Sequence, residues 1–355
     1  MKIKKWLKYY TLASIPLLII IAAFIFFVDP YFHYHKPHTD LFFYELSSAN
    51  ERYVNDGIIR NFDYDAIISG TSMSENFKAS DFVKYFPSTP IKVPFNGGTL
   101  YEISSRIEKA YEKHDVKYVL RSLDYYILNN NSTEKRTHFK YPEYLYNDNP
   151  IDDVKYLCNA TVLNQIISNI SKKSKGIVGI TDFDEYANWM SNYTFGKKEV
   201  LKSIKNISST ESNTDFTQKD EKRVAKNIQK NIVDQALSHP ETQFYYFLPP
   251  YSLAYWGTLY ENGELGNKLT EEAIAVRLIV QCDNIHLFSF NEREDWISNL
   301  DNYKDTVHYN EQINAEMLKL MSEDKFRITK ENAEDYIKFE RDFFLNYDYN
   351  RILTE

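Results

Sequence analysis

The sequence predicts an α/β protein built on a doubly wound, mainly five-stranded parallel sheet, with an inserted irregular or helical segment and one N-terminal transmembrane helix. Three observations predict it. Short apolar runs recur at residues 65–69, 91–95, 118–123, 243–248 and 285–290, segments of helical period stand between them, and residues 9–28 contain no charge. Strands alternating with helices imply parallel βαβ units, in which the ligand crevice lies outside the carboxyl ends of the strands.

The charge-free run comes first. About 20 helical residues at about 1.5 Å each cross the roughly 30 Å hydrocarbon layer of a membrane. Lys2, Lys4, Lys5 and Lys8 precede the run and Asp29 and Lys36 follow it, so the positive-inside bias predicts a cytoplasmic stub at 1–8 and an extracytoplasmic remainder. A cleaved signal peptide is the competing reading, but no small-x-small site ends the run. Pro16 is tolerated in membrane helices, and Trp6, Tyr9, Tyr10, Tyr31 and Tyr34 stand where interfacial aromatics belong. His33, His35 and His38 lie in an aromatic juxtamembrane stretch without a nearby cysteine and are not expected to hold a metal.

Residues 29–61 read as an irregular connection, and the α/β domain is expected over 62–325. Ile103, Ile107, Ala110 and Tyr111 mark a crossover helix between the second and third runs. Val224, Ile228, Ile232 and Ala236 mark another before the fourth, and Ala273, Val276, Arg277 and Val280 a third before the fifth. From about 129 to 216 the alternation stops and tyrosines accumulate with Trp189, which reads as an insertion over the crevice. Its aromatics suit either ordinary packing or stacking on sugar rings. Residues 326–355 contain a last amphipathic helix, with Tyr336, Ile337, Phe339, Phe343 and Phe344, expected to cover the sheet or bind a partner.

Composition narrows the function. With 355 residues, 43% hydrophobic and 26% charged, the chain is a folded globular protein rather than a collagen or a linker. A net charge of −8 argues against a nucleic-acid binder. Two cysteines, Cys158 and Cys282, exclude a disulfide-dense scaffold and a four-cysteine zinc site, and are expected to be unpaired, small, buried apolar residues. No Walker-type glycine loop supports phosphoryl transfer.

Three segments at the predicted carboxyl edge carry chemistry. Gly70-Thr71-Ser72-Met73 ends the first run and leads into Ser74-Glu75-Asn76-Phe77, which begins like a helix. Strand, tight turn and helix push a serine up at the sheet edge beside free backbone N–H groups that face a developing oxyanion. Asp305-Thr306-Val307-His308 precedes a helical pattern at Ile313, Met317 and Leu320. An aspartate three residues before a histidine can accept from one imidazole nitrogen and leave the other to take a serine proton. Asn96-Gly97-Gly98-Thr99 ends the second run, where glycines let backbone N–H groups approach a ligand.

These segments, in this order, resemble the SGNH (GDSL-type) hydrolase superfamily of serine esterases and acyltransferases, over residues 64–321. The resemblance implies a flavodoxin-like five-stranded sheet, Ser72 as nucleophile, His308 and Asp305 as its partners, Gly97 or its neighbour Gly98 as a backbone oxyanion donor, and no cofactor. Two departures stand out. The first block reads Gly-Thr-Ser-Met where the family commonly has Gly-Asp-Ser-Leu, and the third strand ends in Asp124 where an asparagine often donates to the oxyanion. An ionised Asp124 cannot donate. It is protonated, orients another group, or lines the substrate site passively. The divergent third block and the single anchor look most like the membrane-anchored SGNH-like proteins of bacterial envelope-polymer acylation, as in lipoteichoic-acid D-alanylation and alginate O-acetylation. That likeness implies an envelope glycopolymer or acyl donor as ligand and a multi-pass membrane O-acyltransferase as companion. The alternative is a non-catalytic assembly or glycan-binding protein that kept the fold.

Overall fold

The computed structural model describes residues 2–38, 42, 44–136, 141–177, 179–205 and 215–354. In chain order the helices and strands are α1 (Lys2–Val28), α2 (Glu51–Asn61), β1 (Ala66–Gly70), α3 (Ala79–Tyr85), β2 (Pro90–Pro94), α4 (Leu100–Ala110), β3 (Tyr118–Ser122), α5 (Val154–Leu157), α6 (Ala160–Ser174) and α7 (Lys197–Lys205). There follow α8 (Gln218–Ile228), α9 (Asp234–Ser238), β4 (Gln243–Leu248), α10 (Leu253–Glu261), α11 (Leu265–Ile279), β5 (Ile285–Ser289), α12 (Glu294–Ile297), α13 (Glu311–Ser322), β6 (Arg327–Ile328), α14 (Ala333–Asn346) and α15 (Asn350–Thr354). The chain forms two compact units, Met1–Asp63 with Thr137–Asp182, and Tyr64–Arg136 with Phe183–Glu355.

In the first unit α1 is long and apolar enough to cross a membrane, with a mean hydropathy of 2.7 over Lys8–Val28. The connection expected to be irregular contains α2. Val54 and Ile58, four residues apart, are buried on one face of that helix, and Gly57 lets it pass Tyr31, whose carbonyl oxygen would lie 2.1 Å from an added Cβ. The expected single insertion at 129–216 is divided: residues 141–177 and 179–182 belong to the first unit, whereas 129–136, 183–205 and 215–216 belong to the second. Its remaining positions, 137–140, 178 and 206–214, lie outside the described residues.

The second unit is α/β. Its six-stranded sheet has the order β2-β1-β3-β4-β5-β6, parallel except for β6. All five residues of β1 and of β2 are buried, which is why these strands read as continuous apolar runs rather than alternating ones. The direction of strand addition reverses between β1 and β3, so the loops after β1, β2 and β3 emerge side by side at one sheet edge. The two-residue antiparallel β6 is too short to leave a periodic signal.

Three further expectations are corrected. The helix marked by Val224 to Ala236 is broken by a π-helical segment, Gln229–Val233, between α8 and α9. The amphipathic helix expected over the carboxyl-terminal segment, α14, packs on α11 rather than on the sheet, and its Phe344 stacks on Trp256 of α10 at 4.1 Å. Both cysteines are free, but Cys158 is exposed while Cys282 is buried.

Candidate active site

The site grows from the end of β1. Gly70 has φ +136°, a conformation open to glycine, and turns the chain out of the sheet into a single 3-10 turn, Ser72–Ser74. Thr71 caps the turn by accepting from the Met73 N–H. The helix expected to begin at Ser74 does not form. Lys92, fully buried on β2, donates through Nζ to the carbonyls of Glu75 at 2.8 Å and Phe77 at 3.0 Å, and so occupies acceptors that a helix would use. Helix α3 starts later, at Ala79.

His308 arrives from a loop that closes on itself. Tyr303 and Tyr309 pair as an antiparallel bridge, and the Lys304 N–H donates to the His308 carbonyl at 3.0 Å. The Tyr303 hydroxyl donates to the Pro250 carbonyl at 2.7 Å and the Ser252 hydroxyl to the Thr306 carbonyl at 2.6 Å, which ties the loop to the segment after β4. Asn310 then caps α13 by accepting from the Ile313 N–H.

The result joins residues 236 apart in sequence: Ser72 Oγ lies 2.8 Å from His308 Nε2. His308 Nδ1 lies 2.8 Å from Asp305 Oδ2 and 3.0 Å from Oδ1. Asp305 Oδ1 also accepts the backbone N–H groups of Val307 and His308, each at 2.9 Å. An acceptor-only carboxylate on Nδ1 assigns the proton of the neutral ring to Nδ1 and leaves the Nε2 lone pair to the serine. Burial opposes the charge on Asp305, but the His308 ring and the two N–H donors outweigh it and hold the carboxyl below its usual value. Because the folded state favours the ionised form, the unfolded chain binds the extra proton as pH falls. The stability advantage of the protein over Asp305→Asn is therefore expected in full above about pH 4, near the ordinary aspartate pKa, and to fade below it. Thermal midpoints of the two proteins at descending pH check this; a gap that widens in acid would overturn it.

The glycine turn after β2 separates its two residues. The Gly98 N–H donates to the Phe95 carbonyl at 2.7 Å, and a Cβ on Gly98 would meet Phe95 at 2.7 Å, so Gly98 is a buried structural residue and not a ligand donor. Gly97, with φ +58°, is partly exposed. Among the described residues, neither its N–H nor that of Ser72 is bonded to a protein acceptor.

Asp124 does not line the site. It is completely buried and accepts hydroxyls from Thr71 at 2.6 Å, Ser122 at 2.9 Å and Tyr251 at 2.7 Å. Burial pushes its carboxyl above the usual range, opposed by those hydroxyls and by His308. Of the three roles left open by the sequence, orienting another group matches this geometry: Asp124 holds the turn that carries Ser72.

Trp189 is the neighbour that motif reading missed. Its ring meets the His308 ring edge-on at 5.4 Å and 87°, and its Nε1–H donates to the Ser72 carbonyl at 3.3 Å. Lys304 sits 4.2 Å from the Trp189 ring centre and 3.6 Å from that of Tyr193, and burial lowers its pKa. In the sequence Trp189 is one aromatic among many in a stretch without periodicity, so residue type alone does not single it out. Compared with protein-family models and with curated proteins, the chain matches none.

Proposed function

We propose that the protein is an extracytoplasmic, SGNH-like serine O-acyltransferase or esterase acting on a cell-envelope polysaccharide or teichoic-acid-like polymer. The observation that carries this reading is the hydrogen-bonded row from Ser72 Oγ through the His308 ring to Asp305, at 2.8 Å on each side of the imidazole. The strand order β2-β1-β3-β4-β5 matches the order known for flavodoxin-like sheets, which supports the doubly wound, SGNH-like reading. The apolar α1 supports a membrane anchor, and the lysines before its charge-free run support a cytoplasmic N-terminus.

In this reading His308 Nε2 takes the Ser72 proton as Oγ attacks the acyl carbonyl. The N–H groups of Ser72 and Gly97 receive the oxyanion, and the leaving alcohol departs with the proton from His308. A polymer hydroxyl or water then gives its proton to His308, attacks the acyl-serine and restores the hydroxyl. Transfer and hydrolysis differ in the acceptor alone. A multi-pass membrane O-acyltransferase is the companion that would supply acyl groups from across the bilayer.

A fluorophosphonate probe tests the reading on the full-length protein. Labelling of the wild type that disappears in Ser72→Ala is the expected result. Folded protein that takes no label would favour a non-catalytic glycan-binding or assembly role.

A further inference from the structure

The first unit exposes five branched aliphatic side chains within 27 residues of sequence, 151 to 177. Ile151, Val154, Ile167, Ile170 and Ile177 are 79%, 57%, 54%, 44% and 50% exposed. Among the described residues outside α1, the other strongly exposed aliphatics are Val83, Leu237 and Leu345, far apart in sequence. On α6 the buried stripe is Val162, Ile166 and Asn169. Leu163, Ile167 and Ile170 repeat at helical spacing about 100° further round, and Thr161, Asn164 and Ser168 occupy the polar side. Lys172, in the last turn, is paired with Glu45, whereas Lys175, just past the helix, is exposed.

The position of α6 against α1 says what covers this stripe. Both α5 and α6 pack on α1. Along α1, Leu17 to Ile20 are exposed, whereas Ile21, Ala22 and Phe24 are half-buried and Ile25 and Val28 buried. Cover thus begins about 10 Å before the end of the apolar run, at about 1.5 Å per residue. The exit is locked: the Asp29 carboxylate accepts the N–H groups of His33, Tyr34 and His35 at 3.0, 2.7 and 3.1 Å, and the hydroxyl of Tyr156 on α5 at 2.8 Å.

We propose that α6 is an interfacial helix, lying in the lipid headgroup layer at the C-terminal end of α1 with Leu163, Ile167 and Ile170 in the acyl boundary. Its occupant is the phospholipid of the membrane that α1 crosses, so the inference rests on the anchor reading but not on the catalytic one. Three features agree: the cover reaches a depth of about 10 Å, the range in which amphipathic interfacial helices bury their apolar face, the stripe is aliphatic, and the exposed Lys175 just past its end suits a lipid phosphate.

The test uses full-length protein with Cys158→Ser in vesicles of zwitterionic and anionic phospholipid, carrying an environment-sensitive fluorophore on Ile167→Cys, Ile170→Cys or Ser168→Cys. Labels at 167 and 170 are expected to be quenched about twofold or more by lipid bearing a nitroxide near the headgroup and little by aqueous iodide, with the reverse at 168. Iodide access at 167 and 170 overturns the proposal. So does shielding from both quenchers, which would indicate a second copy or a protein partner. A label on Leu18→Cys reports on α1 separately: loss of its quenching by a nitroxide deep in the acyl region overturns the anchor, whereas iodide access at 167 and 170 with Leu18 still quenched overturns the interfacial helix alone.

Discussion

Gly70→Ala is expected to destabilise the second unit by about 2 to 6 kcal/mol and to abolish serine labelling. The estimate joins about 1 to 3 kcal/mol for a non-glycine residue in a sparsely populated backbone region to about 1 to 3 kcal/mol for overpacking. The geometry supports the upper part of the range. At φ +136° an added Cβ would lie 2.2 Å from Ser74 Oγ, 2.4 Å from Ser122 Oγ and 3.0 Å from the Ser122 backbone nitrogen. The two hydroxyls cannot step aside freely, because Ser74 Oγ donates to the Thr71 carbonyl at 3.0 Å and Ser122 Oγ donates to Asp124 at 2.9 Å. Ser122 Oγ also accepts the Thr71 N–H at 3.2 Å. Moving either hydroxyl loosens the bonds that aim Ser72. Urea denaturation followed by tryptophan fluorescence measures the loss, and a midpoint unchanged from the parent would refute this account of the turn.

The same bonds explain what could be read before the structure was known. Ile67, Val93, Val119, Phe244 and Leu287 lie on strands buried on both faces, and burial of that kind writes itself into the chain as an apolar run. The strand ends followed, and with them the positions of Ser72, Gly97 and Asp124. Roles set by distant partners left no such trace. Asp124 reads as a departure from a motif until Thr71 and Tyr251, from two other loops, are seen to donate to it. Lys92 stands inside the run at 91–95 with no role that local pattern reveals; it is buried and bonded to the carbonyls that a helix after Ser74 would need. Trp189 stands 117 residues from Ser72 in a stretch without periodicity, so only tertiary folding brings its indole N–H to the Ser72 carbonyl. Local pattern reports burial and backbone geometry; convergence of loops is a property of the folded sheet edge.

His308→Ala is expected to slow fluorophosphonate labelling of Ser72 by about 10⁴-fold or more, because a serine hydroxyl without its base is a weak nucleophile near neutral pH. The fold should tolerate the change. The ring is partly exposed, and the loop retains its Tyr303–Tyr309 bridge, the bond from the Lys304 N–H to the residue 308 carbonyl, and its anchors to Pro250 and Ser252. Asp305→Ala should act in the same direction but less severely, since Asp305 orients the ring and sets its tautomer without touching Ser72. The double variant His308→Ala with Asp305→Ala is then the sharper experiment. If Asp305 works through the ring, its removal costs nothing further once the ring is gone, and the double variant labels at the rate of His308→Ala alone. Independent, additive losses would mean that Asp305 acts on the turn or the backbone rather than through His308, and the proposed row of proton-handling groups would fail at its last member.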